Sequence, residues 1–468
     1  MKITEFAEKF LNNLPFDPNE QQLGVMAALS RFCSPLMPSE SVFLLMGYAG
    51  TGKTSLTSAL VKTLREIRRP VVLMAPTGRA AKVFSKMSGY KAFTIHRKIY
   101  KSDENGVWSS DVAYNPLRNG IFIVDESSMI GDNSGSDSGV NLLDDLIQYV
   151  YSGDGCKMIF LGDSAQLPPV GYKESPALNV AKLKSYGMRV SRAMLTEVVR
   201  QKRNSGILYN ATWMRKSMLL ENIPEMRFRI KGFDDVKIVE GNELQDAIES
   251  SYANVGIENS IVVTRSNRRS VLYNQAIREK ILGREEELTK GERLLVVKNN
   301  YVWSVGVKGL DFIANGDLGV VESIYDIESR YGFRFANVRL SFPDLEKELD
   351  CKILLDTLTG DGPNLSQEDM NRLYEGVLND HEMFSPEVPM SYRIRVAKSN
   401  PYLNALQVKY GYAVTCHKSQ GGQWKEVYID MGRTEDELTN KEFYRWMYTA
   451  TTRATDKLWL INPCCQII

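Results

Sequence analysis

No stretch of this 468-residue chain approaches the roughly 18 consecutive apolar residues that a membrane-spanning helix needs. The first fourteen residues carry Glu5 and Glu8 and no continuous apolar core, so they do not read as a secretory signal. An excess of charge is also missing. Lys and Arg number 58 and Asp and Glu 57, a formal +1. That excludes a globally basic coat, and any affinity for nucleic acid must come from local patches. The six cysteines, Cys33, Cys156, Cys351, Cys416, Cys464 and Cys465, form no CxxC pair and no zinc-ligand spacing. Without a secretory signal they read as reduced thiols of a cytoplasmic protein; pairing outside the cell is the alternative. No internal repeat is present.

The composition is that of an ordinary globular protein, 43% hydrophobic and 25% charged. The length suggests about three domains at roughly 100–200 residues each. Short β-branched and aliphatic runs recur at 42–46, 71–74, 121–124, 158–161, 261–263 and 458–461. Continuous apolar runs of this size suit strands buried on both faces. Helical stretches such as 55–67 lie between several of them, which predicts an α/β fold with parallel sheets. Ile3, Phe6, Phe10, Leu11 and Leu14 share a helical spacing at the start.

Some segments break the alternation. Residues 100–119 are polar, with Asn105-Gly106 as a hairpin-turn signal and Trp108 beyond it. Residues 131–139, rich in Gly, Ser and Asp, predict a flexible loop. Residues 300–410 are punctuated by Gly306, Gly309, Gly316 and Gly319 and predict a small β-rich domain. Within it, 343–392 holds twelve acidic residues against Lys347, Lys352 and Arg372. That run reads as a solvated insertion, or as a surface for a protein partner.

The strongest motif is Gly47-Tyr-Ala49-Gly50-Thr51-Gly52-Lys53-Thr54, a G-x-x-x-x-G-K-[ST] phosphate loop between a strand and a helix. Its backbone N–H groups, with the dipole of the following helix, suit the phosphates of ATP. Lys53 should reach the β- and γ-phosphates, and Thr54, next to Ser55, should hold Mg²⁺. Asp125 and Glu126 end the run 121–124. Asp125 should hold the same Mg²⁺ through water, and Glu126 should orient or deprotonate the attacking water. Gly162-Asp163-Ser-Ala-Gln166-Leu-Pro-Pro follows another buried run and could sense the γ-phosphate.

In this order the motifs resemble those of the superfamily 1 helicases, in the 5′-to-3′ branch that includes RecD-like and phage Dda-like proteins. Gln21 looks like the family's adenine-reading glutamine. Ala75–Ala81 and Thr94-Ile-His96 look like early DNA contacts, and 125–129 and 162–170 like motifs II and III. Leu195–Gln201 resembles motif IV, Thr264–Arg268 the first DNA-contacting segment of the second motor, Ala413–Gly421 motif V and Tyr448–Ala454 motif VI. The resemblance implies two RecA-like P-loop motor domains with ATP in the cleft between them. The first would be 1–99 and 120–198, with a hairpin (pin) insertion at 100–119. The second would be 199–299 and 411–468, with an SH3-like β-rich insertion at 300–410.

It implies that Arg200 and Arg453 neutralise the γ-phosphate, that Gln166 couples phosphate state to DNA grip, and that Gly421 and Gln423 lie by the ribose. Gln423 stands where the family often has Glu. Thr77, Arg79, His96, Asn267, Arg268, Thr415, His417 and Lys418 would face single-stranded DNA. Trp108 would stack on a base at a duplex fork. The implied activity is ATP-dependent DNA unwinding, for which a monomer suffices. The alternatives are an RNA-directed helicase, a translocase that remodels protein–DNA complexes, and a nuclease reading of Asp344 with Asp350-Cys-Lys352.

Overall fold

The computed structural model describes residues 2–102, 108–132, 141–197, 205–308, 310, 312–343, 346–432 and 437–468, with only the backbone path at 102 and 108–110. It forms two compact units. The first comprises Met1–Lys101, Ser109–Arg229 and Asp436–Thr452, the second Ser102–Trp108, Ile230–Glu435 and Arg453–Ile468.

In the first unit, six strands lie in the order Ala92–Thr94, Val71–Ala75, Ile121–Val124, Lys157–Gly162, Ser41–Gly47, Arg189–Leu195. Every pairing is parallel. The expected continuous apolar runs are the central strands, and all four residues of Ile121–Val124 are fully buried. Burial of one such side chain contributes about 1.5–3 kcal/mol. Helices flank the sheet. The N-terminal helix Ile3–Asn12 buries Phe6 and Phe10, as its spacing predicts, and leaves Leu11 exposed. Helix Lys53–Glu66 packs Leu56, Leu60 and Leu64 into the same core.

The strands Tyr100–Ser102 and Trp108–Val112 pair as a two-stranded sheet where an insertion is expected. The Asn105-Gly106 turn and the side chain of Trp108 lie outside the described residues. So does the predicted loop beyond Asp132, up to residue 140.

The second unit holds a five-stranded parallel sheet in the order Val236–Val239, Ala454–Ile461, Trp424–Asp430, Ser260–Thr264, Ala413–Thr415. It also holds a closed barrel of Arg293–Val296, Leu318–Arg330, Phe333–Phe342, Lys347–Leu354 and Leu406–Tyr410. The barrel takes its first strand from before residue 300. Sheet and barrel share one core, which includes Val239, Val262, Leu294, Leu340, Val408 and Tyr428. The β-rich segment is therefore fused to the sheet it interrupts. Helices Gln367–Leu378 and Met390–Ala397 follow the fourth barrel strand and bury Leu373, Val377 and Ala397 with Phe333 and Phe335.

The acidic run is less bare than its sequence window suggests. Asp350 pairs with Arg339 at 2.9 Å, Asp380 with Arg330 at 2.8 Å, and Asp356 with Arg334 at 3.6 Å. These arginines lie at 330–339, just before the window; Arg339 faces Asp350 across paired strands, while Asp356 and Asp380 lie beyond the fourth barrel strand. Asp344 of the nuclease alternative lies outside the described residues. Asp350 binds Arg339 and Tyr325, and Lys352 binds Glu328.

A buried ionic cluster joins barrel and sheet. Glu292, fully buried, accepts hydrogen bonds from Arg278 at 3.1 Å, Arg284 at 3.0 Å and the Tyr412 hydroxyl at 2.8 Å. Removing it strands a buried guanidinium, the expensive way to break a buried pair. Glu292→Ala should cost about 3–5 kcal/mol in urea unfolding. An unchanged unfolding midpoint would refute this account of the cluster.

Candidate functional site

The first unit aims three neighbouring strands at one edge. Strands Ile121–Val124, Lys157–Gly162 and Ser41–Gly47 are adjacent and parallel, so Asp125, Asp163 and the phosphate loop all follow carboxyl ends. Ligands of open parallel α/β sheets bind at that edge.

The loop conformation demands glycine at two places. Gly52 has φ of +87°, and a Cβ there would stand 2.7 Å from Nε2 of Gln22. A Cβ on Gly47 would stand 2.9 Å from Oγ1 of Thr51 and 3.0 Å from Cγ of Lys53. Gly50 also has a positive φ, +79°. The Thr51 hydroxyl donates to the Tyr48 carbonyl at 2.8 Å. Lys53 folds back over the loop and donates to the carbonyls of Gly47 and Tyr48, the latter at 3.0 Å. Thr54 and Ser55 lie half-buried in the first turn of the helix that Gly52 caps.

The Asp125 N–H donates to the Met74 carbonyl at 2.9 Å, and its Oδ1 accepts the Glu126 N–H at 2.8 Å. Burial pushes the Asp125 carboxyl up; the Glu126 N–H and the Lys53 ammonium oppose that. Glu126 sits in the left-handed region, φ +49°. A non-glycine residue there carries backbone strain, which clusters at functional sites. Asp163 is fully buried and accepts the Ala165 N–H at 2.9 Å. Gln166 is buried, and its Oε1 has no partner among the described residues.

Helix Lys441–Thr451 belongs to this unit, although the expected boundaries assign 411–468 to the second motor domain. Its Tyr448 hydroxyl donates to Asp163 Oδ2 at 2.7 Å and accepts the Ala49 N–H at 3.0 Å. Thr449 Oγ1 accepts the Leu167 N–H at 2.9 Å. The helix is thus clipped to the phosphate loop and to the Gly162–Val170 segment.

Two adjacent glutamines divide their tasks. The Gln21 amide is held by residues 196–197: Oε1 accepts both N–H groups at 2.8 and 3.1 Å, and Nε2 donates to Thr196 Oγ1 at 2.9 Å. Gln22, buried, donates to the Thr51 carbonyl at 3.3 Å. It is also the third residue of a capping box with Asn19. The Asn-x-x-Gln spacing signals that box, so Gln22 was findable from sequence. Arg215 was not. Its guanidinium stacks 4.1 Å from the Tyr48 ring and donates to the Thr196 carbonyl at 2.9 Å.

Of the expected DNA residues in this unit, Thr77 caps helix Gly78–Ser88 by accepting the Ala80 N–H at 3.2 Å, with Arg79 in that first turn. His96 is half-buried, 5.8 Å from the Tyr100 ring. Its Nδ1 is buried with no partner among the described residues, and burial pushes its pKa down. Arg200 lies outside the described residues, as does the Trp108 side chain.

In the second unit, Thr264 pairs with Thr415 on neighbouring parallel strands. Asn267 and Arg268, in the first turn of helix Asn267–Ala276, therefore follow the same sheet edge as Thr415, His417 and Lys418. Lys418 donates to the Pro363 carbonyl at 3.2 Å, and burial beside Lys409 pushes its pKa down to about 8. Gly421 has φ of +73° and Gln423 is exposed. Arg453, buried, donates to the Gly422 carbonyl at 3.3 Å.

An AAA domain model matches residues 36–172, and a UvrD-like helicase C-terminal domain model matches residues 410–461. The ATP-dependent RecD2 DNA helicase of Deinococcus radiodurans is 33% identical over 130 residues, 27% of this chain and 16% of that protein. The ATP-dependent DNA helicase dda of Enterobacteria phage T4 is 26% identical over 261 residues, 53% of this chain and 55% of that protein. These matches span about a sixth of the first relative and little more than half of the second. A solved structure of Pif1 helicases unwinding forked double-stranded DNA is similar in fold, with a TM-score of 0.50 at 17% identity, covering 95% of this chain and 92% of that one. With two motor-type parallel sheets, the phosphate loop and these relatives, the chain resembles the superfamily 1 helicases of the RecD, Dda and Pif1 kind.

Proposed function

We propose that the protein is an ATP-dependent DNA helicase that moves 5′ to 3′ on single-stranded DNA and opens duplex forks. The observation that carries this reading is the convergence of Lys53, Asp125, Glu126 and Asp163 at the carboxyl ends of three adjacent parallel strands. The direction follows the resemblance to the Dda- and RecD-like branch.

The phosphate loop, from Gly47 to Ser55, takes the ATP phosphates, and Lys53 leaves its carbonyl partners for the β- and γ-oxygens. The hydroxyl of Thr54 and the carboxylate of Asp125 are hard oxygen donors of the sort Mg²⁺ prefers. When bound there, Mg²⁺ neutralises charge developing on the transferred phosphoryl group. A cation held there would favour the ionised Asp125 carboxylate against the burial that pushes its pKa up. Glu126 accepts the proton of the attacking water. Gln166 offers its unpartnered Oε1 to that water. Arg200 and Arg453 are the arginines of the hydrolysis step, where a planar fork matches the spread charge. Gln21 reads the base, and Gly421 and Gln423 lie by the ribose.

Thr77, Arg79 and His96 form one DNA-side group, and Asn267, Arg268, Thr415, His417 and Lys418 the other. Hydroxyl, amide and backbone donors position a phosphate chain without a large net charge. Trp108 belongs to the fork-opening hairpin. One chain carries both motor units, so a monomer is sufficient. Within the acidic segment Asp350, Asp356 and Asp380 already serve arginines, so a protein partner would meet the remaining carboxylates. The nucleic-acid partners are single-stranded DNA and duplex forks.

Unwinding of one duplex carrying a 5′ or a 3′ single-stranded tail is the first measurement. ATP-dependent opening with the 5′ tail alone is expected. Opening with only the 3′ tail would discard the direction. DNA-stimulated hydrolysis without any opening would favour the remodelling translocase.

Lys53→Ala should abolish hydrolysis, and Glu126→Gln should retain ATP while lowering turnover by roughly 10²–10⁴, the usual worth of a general base. Near-normal DNA-stimulated ATPase in both variants would overturn the site.

A third outcome concerns pH. Lys418 is charged below about 8 and loses its proton above it, so its attraction for phosphate is present at pH 7 and fades as pH rises. Affinity for single-stranded DNA should fall across that range, and Lys418→Gln should flatten the fall. Identical pH profiles would remove Lys418 from the DNA contacts.

A further inference from the structure

At the edge of the first sheet opposite to the phosphate loop lies a cleft of about 740 Å³. It opens where Lys157 begins its strand and Pro70 precedes Val71. Five cationic side chains line it: Lys2, Arg68, Arg69, Arg118 and Lys157. No carboxylate is among its described lining residues. In a chain with 58 basic and 57 acidic residues, such a lining is one-sided.

Two of the cations form the floor. Lys157 is only 3% exposed and donates to the carbonyls of Phe32 at 3.1 Å and Ser34 at 2.9 Å. Arg69 donates to the Cys33 carbonyl and, through Nε, to the Asn119 carbonyl at 2.9 Å. Three consecutive carbonyls, 32 to 34, thus bring both cationic heads to one place. They lie at the carboxyl end of helix Glu20–Phe32. That end carries roughly half an elementary negative charge, so two full positive charges are not balanced.

The lysine has three N–H donors and the guanidinium five; the carbonyls use two of each set. Among the described residues, neither cation has a carboxylate within ion-pair distance. The Cys33 thiol gives no counter-charge, since burial pushes its pKa up to about 11. Burial pushes Lys157 down to about 8, and the charge of Arg69 adds to that. A buried cation held by neutral groups alone is an unfavourable arrangement. An anion entering the cleft would reverse it. Lys2, Arg68 and Arg118 are exposed at the rim, while Ile3, Phe6, Met37 and Ile67 give an apolar wall.

We propose that this cleft binds a phosphate-bearing anion, seated on Lys157 and Arg69 and fenced by Lys2, Arg68 and Arg118. Two clustered floor cations suit a group that carries more than one charge, and an arginine fork suits phosphate oxygens. The phosphate could come from a free small molecule or from the end of a nucleic-acid strand. The inference does not depend on the helicase reading.

Calorimetric titration tests it in the full chain carrying Lys53→Ala, which weakens binding at the phosphate loop. The probes are inorganic pyrophosphate and one DNA oligonucleotide with or without a 5′-phosphate. Saturable binding of pyrophosphate, or tighter binding of the phosphorylated oligonucleotide, is expected. The first result points to a free phosphate compound, the second to a strand end. Adding Lys157→Met should weaken that binding about tenfold or more, in line with loss of a charge-assisted contact. The rim pair Arg68→Ala and Arg118→Ala removes exposed side chains only and should weaken it several-fold without shifting the melting temperature. Absence of both kinds of binding at millimolar ligand would overturn the proposal. So would binding as tight as in the Lys53→Ala parent in both the Lys157→Met chain and the rim variant.

Discussion

The chain's chemistry depends on one constraint: strands buried on both faces cannot carry polar groups along their length, only at their ends. In the first sheet, Ile121–Val124 and Met158–Leu161 are apolar at every position and shielded from water. Their polar continuations, Asp125 and Asp163, emerge at the carboxyl edge because all neighbours run the same way. The phosphate loop leaves the next strand at the same edge. Parallel pairing therefore does the gathering, and the charged groups need no long-range attraction to meet.

The same edge is braced from a distant part of the chain. The Tyr448 hydroxyl stands between a carboxylate and a backbone N–H, Asp163 on one side and Ala49 on the other. Burial and the adjacent carboxylate push its pKa well up, so it stays a protonated donor. Thr449 adds a second tie, to Leu167. Helix Lys441–Thr451 thereby joins the phosphate loop and the Gly162–Val170 segment in one hydrogen-bonded group. Arg453, two residues beyond the helix, directly precedes the strand Ala454–Ile461 of the second unit.

Much of this was legible in sequence, and the reasons are local. The G-x-x-x-x-G-K-T spacing encodes a loop geometry, and the positive φ angles at Gly50 and Gly52 are its physical content. Buried strands announce themselves as apolar runs, which placed five of the six expected strands to within a residue; the run 458–461 is only the end of Ala454–Ile461. What sequence could not supply was partnership across the chain. The acidic run looked bare because its partners Arg330, Arg334 and Arg339 lie outside it and meet it only in the folded chain. The barrel's first strand looked like motor sequence, since Leu294–Val297 is one more apolar run. Gln21 and Gln22 are neighbours in sequence, yet only the helix start decides which faces the phosphate loop. Arg215 had no signal at all, because stacking on Tyr48 is visible only in three dimensions.

The first unit keeps six buried polar side-chain atoms without partners among the described residues: Gln166 Oε1, Ser128 Oγ, His96 Nδ1, Arg445 Nε, Ser41 Oγ and Thr451 Oγ1. Native interiors hold few such atoms, and each costs about 1–3 kcal/mol. Three of the six belong to residues lining a single cavity of about 100 Å³ beside Asp163. A cavity of that size admits water, which needs two to four polar partners. Gln166, Ser128 and Arg445 offer them. Hydrogen bonds left unmade within the protein make this cavity a polar site where water completes the pairing. The Glu292 cluster is the contrast: its carboxylate accepts from Arg278, Arg284, Thr289 and Tyr412, and these direct bonds hold barrel and sheet together.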